Sequence, residues 1–194
     1  MEPILQELIR KYDIAVPRYT SYPTVPYWED NLTPETWVDS VKRSFLRNQE
    51  QGLCLYIHLP FCERLCTYCG CNKRITVNHA VEDPYIESLL QEWNLYLALF
   101  PEKPRLTEIH LGGGTPTFFS AQNLEQLLTR ILETAERSEN FEFSFEAHPN
   151  YTTKEQLATL YAAGFRRLSV GIQDFDEKVQ WIINRPQTFE QTQM

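Results

Sequence analysis

The sequence predicts an α/β fold, a partial TIM-like (β/α) barrel of four βα units behind a helical and extended amino-terminal arm. Three observations carry this. From Leu53 onward, short strand-like runs alternate with amphipathic helical stretches, the order of βαβ crossovers and a parallel sheet. Each run is apolar on one face and polar or small on the other, whereas a strand between two helix layers is apolar on both. Apolar faces turned out towards helices and polar faces lining a lumen belong to a barrel. Before Leu53 the alternation is absent, so residues 1–52 form an arm with helices and residues 53–194 the incomplete barrel.

Taken in order, the first element is a helical stripe in Pro3–Asp13, with Ile4, Leu5, Leu8 and Ile9 on one side. "AVPRYTSYPTVPYW" then reads as extended and irregular, because proline fixes φ and biases the residue before it away from helix. A second helix starts with Thr33 as N-cap and Pro34 as first helical residue and runs to about Arg47. Strands are expected at Leu53–Leu59, Leu106–Leu111, Phe141–Ala147 and Arg167–Gln173, and helices at Asp83–Leu99, Ala121–Ala135, Lys154–Ala163 and Asp176–Asn184. The helix from Ala121 carries a clear stripe in Leu124, Leu127, Leu128, Ile131 and Leu132, and Gly164 stands where a C-cap belongs. On the strands, Phe141, Phe143 and Phe145 oppose Glu142, Ser144 and Glu146, while Leu168, Val170 and Ile172 oppose Ser169, Gly171 and Gln173. Tyr56 and His58 share a face, as do Glu108 and His110. Such barrels work at the C-terminal edge of the strands, at or near which Tyr56, Glu146 and Gln173 fall. Four strands do not close a barrel, so an unpaired parallel edge is expected.

The 194 residues are 42% hydrophobic and 23% charged, with 11 Phe, 10 Tyr and 4 Trp, a composition that supports a packed core and excludes a disordered chain. No apolar run approaches the roughly 18 residues of a membrane helix, and the charged start "MEPILQELIRKYD" is no signal peptide. A cytoplasmic location follows as an expectation, and there clustered thiols are metal-binding or catalytic sooner than disulfide-bonded. The formal net charge of -8 and the lack of a basic stripe speak against a nucleic-acid partner.

Four of the five cysteines, Cys62, Cys66, Cys69 and Cys71, stand within ten positions of "YIHLPFCERLCTYCGCNK". Pro60 ends the first strand, so they lie at the barrel's C-terminal mouth. The spacing C-x3-C-x2-C-x-C leaves three readings. Structural zinc normally takes two C-x2-4-C pairs separated by a longer loop, and here would be wrapped by four thiolates in one short loop. Disulfides run against a reducing compartment. A 4Fe–4S cube is wide enough for three cysteines of one loop to reach different irons, which leaves the fourth iron open unless Cys71 takes it. A second motif, "GGGTPT" at Gly112–Thr117, ends the second strand at the same mouth, where glycine lets backbone amides approach a ligand.

C-x3-C-x2-C after the first strand, the aromatic Tyr68 within "CTYC" and "GGGTPT" after the second strand together resemble the radical S-adenosylmethionine (SAM) enzymes. The resemblance implies that Cys62, Cys66 and Cys69 hold one 4Fe–4S cluster whose free iron chelates the amino and carboxylate groups of SAM. In that superfamily an electron from the cluster splits the sulfonium, and the 5′-deoxyadenosyl radical so formed takes hydrogen from a substrate. "PRYTSYPT" (Pro17–Thr24), "LYIHLPFC", "CGCNK", "FEAHP", "RLSVGIQDF" and "VQWIINRPQ" narrow the resemblance to the oxygen-independent coproporphyrinogen III oxidases, also called coproporphyrinogen dehydrogenases, from about Lys11 to Gln187. This implies an oxidoreductase of haem and porphyrin biosynthesis. It would convert coproporphyrinogen III to protoporphyrinogen IX by oxidative decarboxylation of two propionates to vinyls, with one cluster, two SAM molecules and an unidentified electron donor.

By motif, Tyr56, Gly113 and Glu146 are the implied contacts of the first SAM, and Tyr68, Gly114, Thr115, Gln173 and Arg185 those of the second. The side chains suit these roles: a carboxylate acceptor at Glu146, a fork for a carboxylate at Arg185, and at Tyr68 a ring to stack on adenine or a sulfonium methyl. Cys71 is not a ligand in the family; it is an aid to the substrate chemistry or, equally, a small buried thiol. Arg18, Lys73 and Arg74 suit the substrate's carboxylates, with Arg18 and Tyr19 equally anchors of the arm. His58 and His110 read as interior histidines, Glu108 and Glu142 as lumen hydrogen-bonders, and Cys54 as a core residue. The related haem chaperones typically lack the second cysteine of "CGC" and the "RYTSYPT" segment, both present here. The alternative in their direction is a non-catalytic remnant or a cluster- or haem-binding module. Two departures stand out: Glu146-Ala147-His148-Pro149 where the family usually reads E-x-D-P, and a family pattern that continues through at least two further βα units, one bearing an acidic SAM contact, and a carboxy-terminal domain. The chain therefore reads as the amino-terminal part of such an enzyme, without turnover on its own.

Overall fold

The computed structural model describes residues 3–14 and 23–193, in two compact units, Met1–Trp37 and Val38–Met194. Arg18 and Tyr19 lie outside the described residues. In the first unit, helix α1 spans Pro3–Tyr12 and a 3-10 turn spans Val25–Tyr27, beside which the Trp28 indole N–H donates to the Pro23 carbonyl at 2.8 Å. Helix α2, Pro34–Arg47, begins as the sequence predicts: Thr33 Oγ1 accepts the Thr36 N–H at 3.2 Å and Pro34 fills the first helical position.

The second unit runs β1 (Leu53–Leu59), β2 (Phe61–Cys62), β3 (Arg74–Ile75), α3 (Glu82–Leu97), β4 (Arg105–Gly113), α4 (Ala121–Thr134), β5 (Glu136–Ala147), α5 (Lys154–Ala162), β6 (Phe165–Val170), α6 (Glu177–Ile182) and α7 (Phe189–Gln193). β1, β4, β5 and β6 pair in that order, every pair parallel, as the four-unit partial barrel requires. β2 and β3 form a short separate parallel pair.

The alternation sets the faces. Ile57, Leu59, Ile109, Leu111, Phe143 and Phe145 are buried in one apolar cluster with Ile86 and Trp93 of α3, Leu124, Leu127, Leu128 and Ile131 of α4, and Leu160 of α5. Burial of side chains of this size stabilises by about 1.5–3 kcal/mol each. The opposite face carries the polar row: Tyr56 is in register with His110, His110 with Ser144, and Glu146 with Ser169. Helix starts are fixed by caps, Ser120 for α4 and a Thr153–Gln156 capping box for α5. Glu82, buried at the head of α3, accepts from the Ser120 N–H and the Asn123 amide, both at 2.8 Å, and so ties α3 to α4.

Three expectations are corrected. β5 starts five residues early, because the charged run Glu136–Asn140 joins the ladder, with Arg105 opposite Glu136 and Leu106 opposite Arg137. Cys54 is exposed, since it shares the polar face of β1 with Tyr56 and His58; its Sγ lies 3.7 Å from Thr107 Oγ1. β6 starts at Phe165 and stops at Val170, and its apolar residues Leu168 and Val170, expected against helices, are exposed. Among the described residues, no helix is long and apolar enough to cross a membrane.

Candidate active site

The cysteine loop leaves β1 through Pro60 and is closed at its base by the β2–β3 pair: the Arg74 N–H donates to the Pro60 carbonyl at 2.8 Å and the Thr76 N–H to the Cys62 carbonyl at 2.9 Å. Inside the loop, the Cys69 N–H bonds the Cys66 carbonyl at 3.1 Å. Lys73 Nζ donates to the carbonyls of Cys69 at 3.0 Å and Cys71 at 3.1 Å, so this cation, suggested for a substrate carboxylate, also staples the loop. His58 Nε2 meets the Asn72 carbonyl at 2.8 Å. A carbonyl only accepts, so Nε2 carries the proton and Nδ1 accepts from the Tyr56 hydroxyl at 3.0 Å. Tyr56 therefore offers its oxygen lone pairs, not its proton, to the lumen.

The glycine motif is laid directly against this loop. Gly113 has φ +121°, open to glycine and strained for other residues. A Cβ on Gly114 would stand 2.4 Å from the Pro60 carbonyl oxygen and 2.9 Å from Cys62 Sγ, so only glycine allows the approach. The N–H groups of Gly114 and Thr115 bond the Leu59 and Phe61 carbonyls at 2.9 and 3.0 Å, and Thr115 Oγ1 lies 3.3 Å from Cys62 Sγ. The motif thus supports the first cysteine, and these two amides are engaged within the protein.

Between the two loops opens a cleft of about 280 Å³. Cys62, Cys66, Cys69 and Cys71 line it, with Tyr68, Gly113, Gly114, Thr115, Glu146, Gln173 and Arg185. Tyr56 sits on the neighbouring lumen face, stacked on His110 with ring centroids 5.9 Å apart. His110 Nδ1 pairs with Ser144 Oγ at 2.8 Å and its Nε2 lies 3.8 Å from Glu146. Arg74 is exposed on β3. Cys71 is exposed at the rim, which overturns its reading as a small buried thiol.

The sequence reading passed over Arg64, Asn150, Tyr151 and Asn184, which also line the cleft, and attached no role to His148. His148 is buried, its ring 4.7 Å from that of Tyr151, and its Nδ1 accepts the Asn150 N–H at 3.2 Å. Burial, helped by the positive charge of Arg185, lowers its pKa to about 4, so the imidazole is neutral. The break from E-x-D-P at this position was the one signal pointing to it. Gln173, at φ +71°, is held in a left-handed conformation uncommon for a side chain of its kind, a form of strain found at ligand sites.

Desolvation also sets the thiols. Burial pushes the Cys62 thiol up, Thr115 partly offsets this, and the neighbouring Cys69 and Cys66 add to it. Cys71 is raised by partial burial and by Cys69. Tyr56 is raised by burial, then by the charges of Glu146 and Cys71. Such thiols stay protonated until a metal displaces the proton. Among the described residues, no three His, Cys, Asp or Glu side chains converge on a position for one metal ion. All four cysteines of the loop line the one cleft. A donor set of soft sulfurs from one loop, facing an open cleft, fits an iron–sulfur cube, in which each thiolate takes a different iron.

A family model described as the radical SAM superfamily matches residues 56–193. The oxygen-independent coproporphyrinogen III oxidase of Salmonella typhimurium is 38% identical over 183 residues, 94% of this chain and 39% of the relative. That of Helicobacter pylori is 38% identical over 198 residues, all of this chain and 42% of the relative. The structure of coproporphyrinogen III oxidase from Escherichia coli, described as a radical SAM enzyme, superposes with TM-score 0.82 at 34% identity over 96% of this chain and 40% of that one. The chain thus spans about two fifths of the length of the curated relatives it matches.

Proposed function

The chain belongs to the radical SAM superfamily, and from that premise we propose that it forms the cluster- and SAM-binding part of an oxygen-independent coproporphyrinogen III oxidase. The carrying observation is the junction of the two loops: three cysteines of one loop share a cleft with a glycine motif whose Gly114 leaves no room for a Cβ. Cys62, Cys66 and Cys69 hold a 4Fe–4S cluster, and Cys71, outside the ligand set, faces the substrate. The chemistry such a centre supplies when bound is one-electron cleavage of a sulfonium, which starts hydrogen abstraction from the substrate.

The chain's own residues bind and orient. Glu146, exposed beside His110, accepts from the ammonium or ribose hydroxyls of one SAM, and Tyr56 adds the lone pairs that its bond to His58 leaves free. Arg185 presents the guanidinium of the β6 side to the carboxylate of a second SAM, with Gln173 beside it and the half-exposed ring of Tyr68 as a stacking surface. Gly113, Gly114 and Thr115 bring the backbone against both ligands. The substrate class is a porphyrinogen, the coproporphyrinogen III of the relatives' names, and the electron comes from a separate donor. Four reduced thiols on one loop suit the cytoplasm.

Anaerobic reconstitution tests the reading. About four irons per chain are expected, with a spectrum of the reduced cluster that changes on adding SAM. Under dithionite, SAM should be cleaved to 5′-deoxyadenosine. One zinc per chain without iron rejects the proposal. Full iron without SAM cleavage favours a cluster-binding module instead.

A further inference from the structure

We propose that the turn Ile182–Arg185 is a clasp on the cysteine loop and that Asn184 is its positioning residue, holding Arg185 against Cys66. The inference rests on the assignment of Cys66 as a cluster ligand.

Three consecutive loop residues are each gripped by this turn, from more than a hundred positions away in the chain. The Asn184 amide donates to the Leu65 carbonyl at 2.9 Å. Arg185 Nη1 lies 3.4 Å from Cys66 Sγ, while its Nη2 donates to the Gly171 carbonyl at 2.5 Å. The Thr67 N–H donates to the Ile183 carbonyl at 3.1 Å, and its hydroxyl to the Ile182 carbonyl at 3.3 Å. Between Cys62 and Lys73, the loop's own backbone supplies a single bond among the described residues, Cys69 N–H to the Cys66 carbonyl. The Leu65–Thr67 segment is therefore positioned from outside.

The turn is built for this. It ends α6 with a paired closure in which the Asn184 N–H bonds the Trp181 carbonyl at 3.2 Å and the Arg185 N–H bonds the Gln180 carbonyl at 2.9 Å. Asn184 sits at φ +54°, the left-handed position that glycine would fill with less strain. Asparagine tolerates it and adds an amide, which glycine could not place on Leu65. The backbone closure then fixes where Arg185 leaves the helix. An N–H aimed at a ligating sulfur stabilises the more negative, reduced form of a cluster and raises its reduction potential. Asn184 thus acts through Arg185 on the readiness of the cluster to accept an electron.

The test uses the reconstituted full chain and two variants. Asn184→Gly keeps the left-handed turn and loses the amide. Thr67→Val removes the hydroxyl bond from the loop side and leaves the turn intact. Both should lower the potential of the cluster and speed iron release to a chelator by about fivefold, with the thermal unfolding midpoint unchanged. Unaltered potential and release in both variants overturn the clasp and leave Asn184 a helix stop. If the wild-type chain takes up no iron, the cluster assignment has failed, and iodoacetamide labelling of Cys66 in the metal-free chain decides the clasp. Labelling about fivefold faster in Asn184→Gly supports it, and equal rates reject it.

Discussion

Two regions of the sheet carry the same alternation and reach different ends. On β1, β4 and β5 the apolar row is sealed: Leu59, Ile109, Leu111 and Phe143 are 0% exposed beneath α3, α4 and α5. On β6 the equivalent Leu168 and Val170 are 46% and 41% exposed. Alternation decides which face of a strand is apolar; a helix with its own stripe decides whether that face is covered. α4 supplies four large buried aliphatic side chains. α6, six residues long, buries only Gln180, and its Trp181 is 81% exposed. The site straddles the two regions. Its cysteine loop, glycine motif and Glu146 stand on the sealed strands, whereas Gln173 and Arg185 stand beyond β6, with Arg185 held by hydrogen bonds.

The largest expected break is in the sealed region. Leu111→Ala or Phe143→Ala should cost about 3–5 kcal/mol, since neither site can collapse around the void, read as the loss of unfolding free energy in denaturant. A loss below about 1 kcal/mol would mean that this row is as loosely covered as that of β6.

Next comes the glycine motif. Gly114→Ala forces a Cβ to 2.4 Å from the Pro60 carbonyl, and the loop bearing Cys62 must move. Iron loading should fall several-fold, approaching Cys66→Ala, which should take up none, while Cys71→Ala should load as the wild type does. Loss of iron in Cys71→Ala would make that thiol a ligand. Full loading of Gly114→Ala would show that the sealed side is not what positions the cluster.

His148, also on the sealed side, gives a pH-dependent term. Its folded pKa of about 4 lies below the ordinary 6.5, so between these values the unfolded chain binds more protons. Stability from this group is complete above about pH 6.5, declines as pH falls towards 4 and changes no further below it. The full span, discounted for the part of the ring that solvent screens, is about 2 kcal/mol. His148→Gln should flatten the slope of unfolding free energy over that window. An unchanged slope assigns the effect elsewhere.

Much of this was legible, because local rules agreed with tertiary ones where helices pack. β1 and α2 were placed to the residue by Pro60, Thr33 and Pro34, and the stripe of α4 named its buried face. The cysteine and glycine motifs fell in one cleft because both follow strands that are neighbours in the sheet. What was not legible depended on partners distant in sequence. The charged start of β5 is a strand only because Arg105 and Leu106 lie opposite it. His148 is made neutral by what buries it, and Asn184 gains its role from Leu65, a residue 119 positions away. The exposure of Leu168 was hidden for the same reason, since its own strand reads like the others.

The smallest effect sharpens the comparison most. Leu168→Thr introduces a β-branched residue suited to a strand and removes an apolar side chain already half in water. Its cost should stay within about 0.5 kcal/mol, against several for Leu111→Ala on the neighbouring face. The informative readout is association. A parallel edge strand with an exposed apolar row is a template for pairing, so the chain should self-associate as its concentration rises in light scattering, and Leu168→Lys should suppress this without lowering stability. If Leu168→Thr instead costs as much as Leu111→Ala, the row on β6 is covered in solution. Arg185 would then stand on a packed base, and the division of the site into a sealed and an open half would fall.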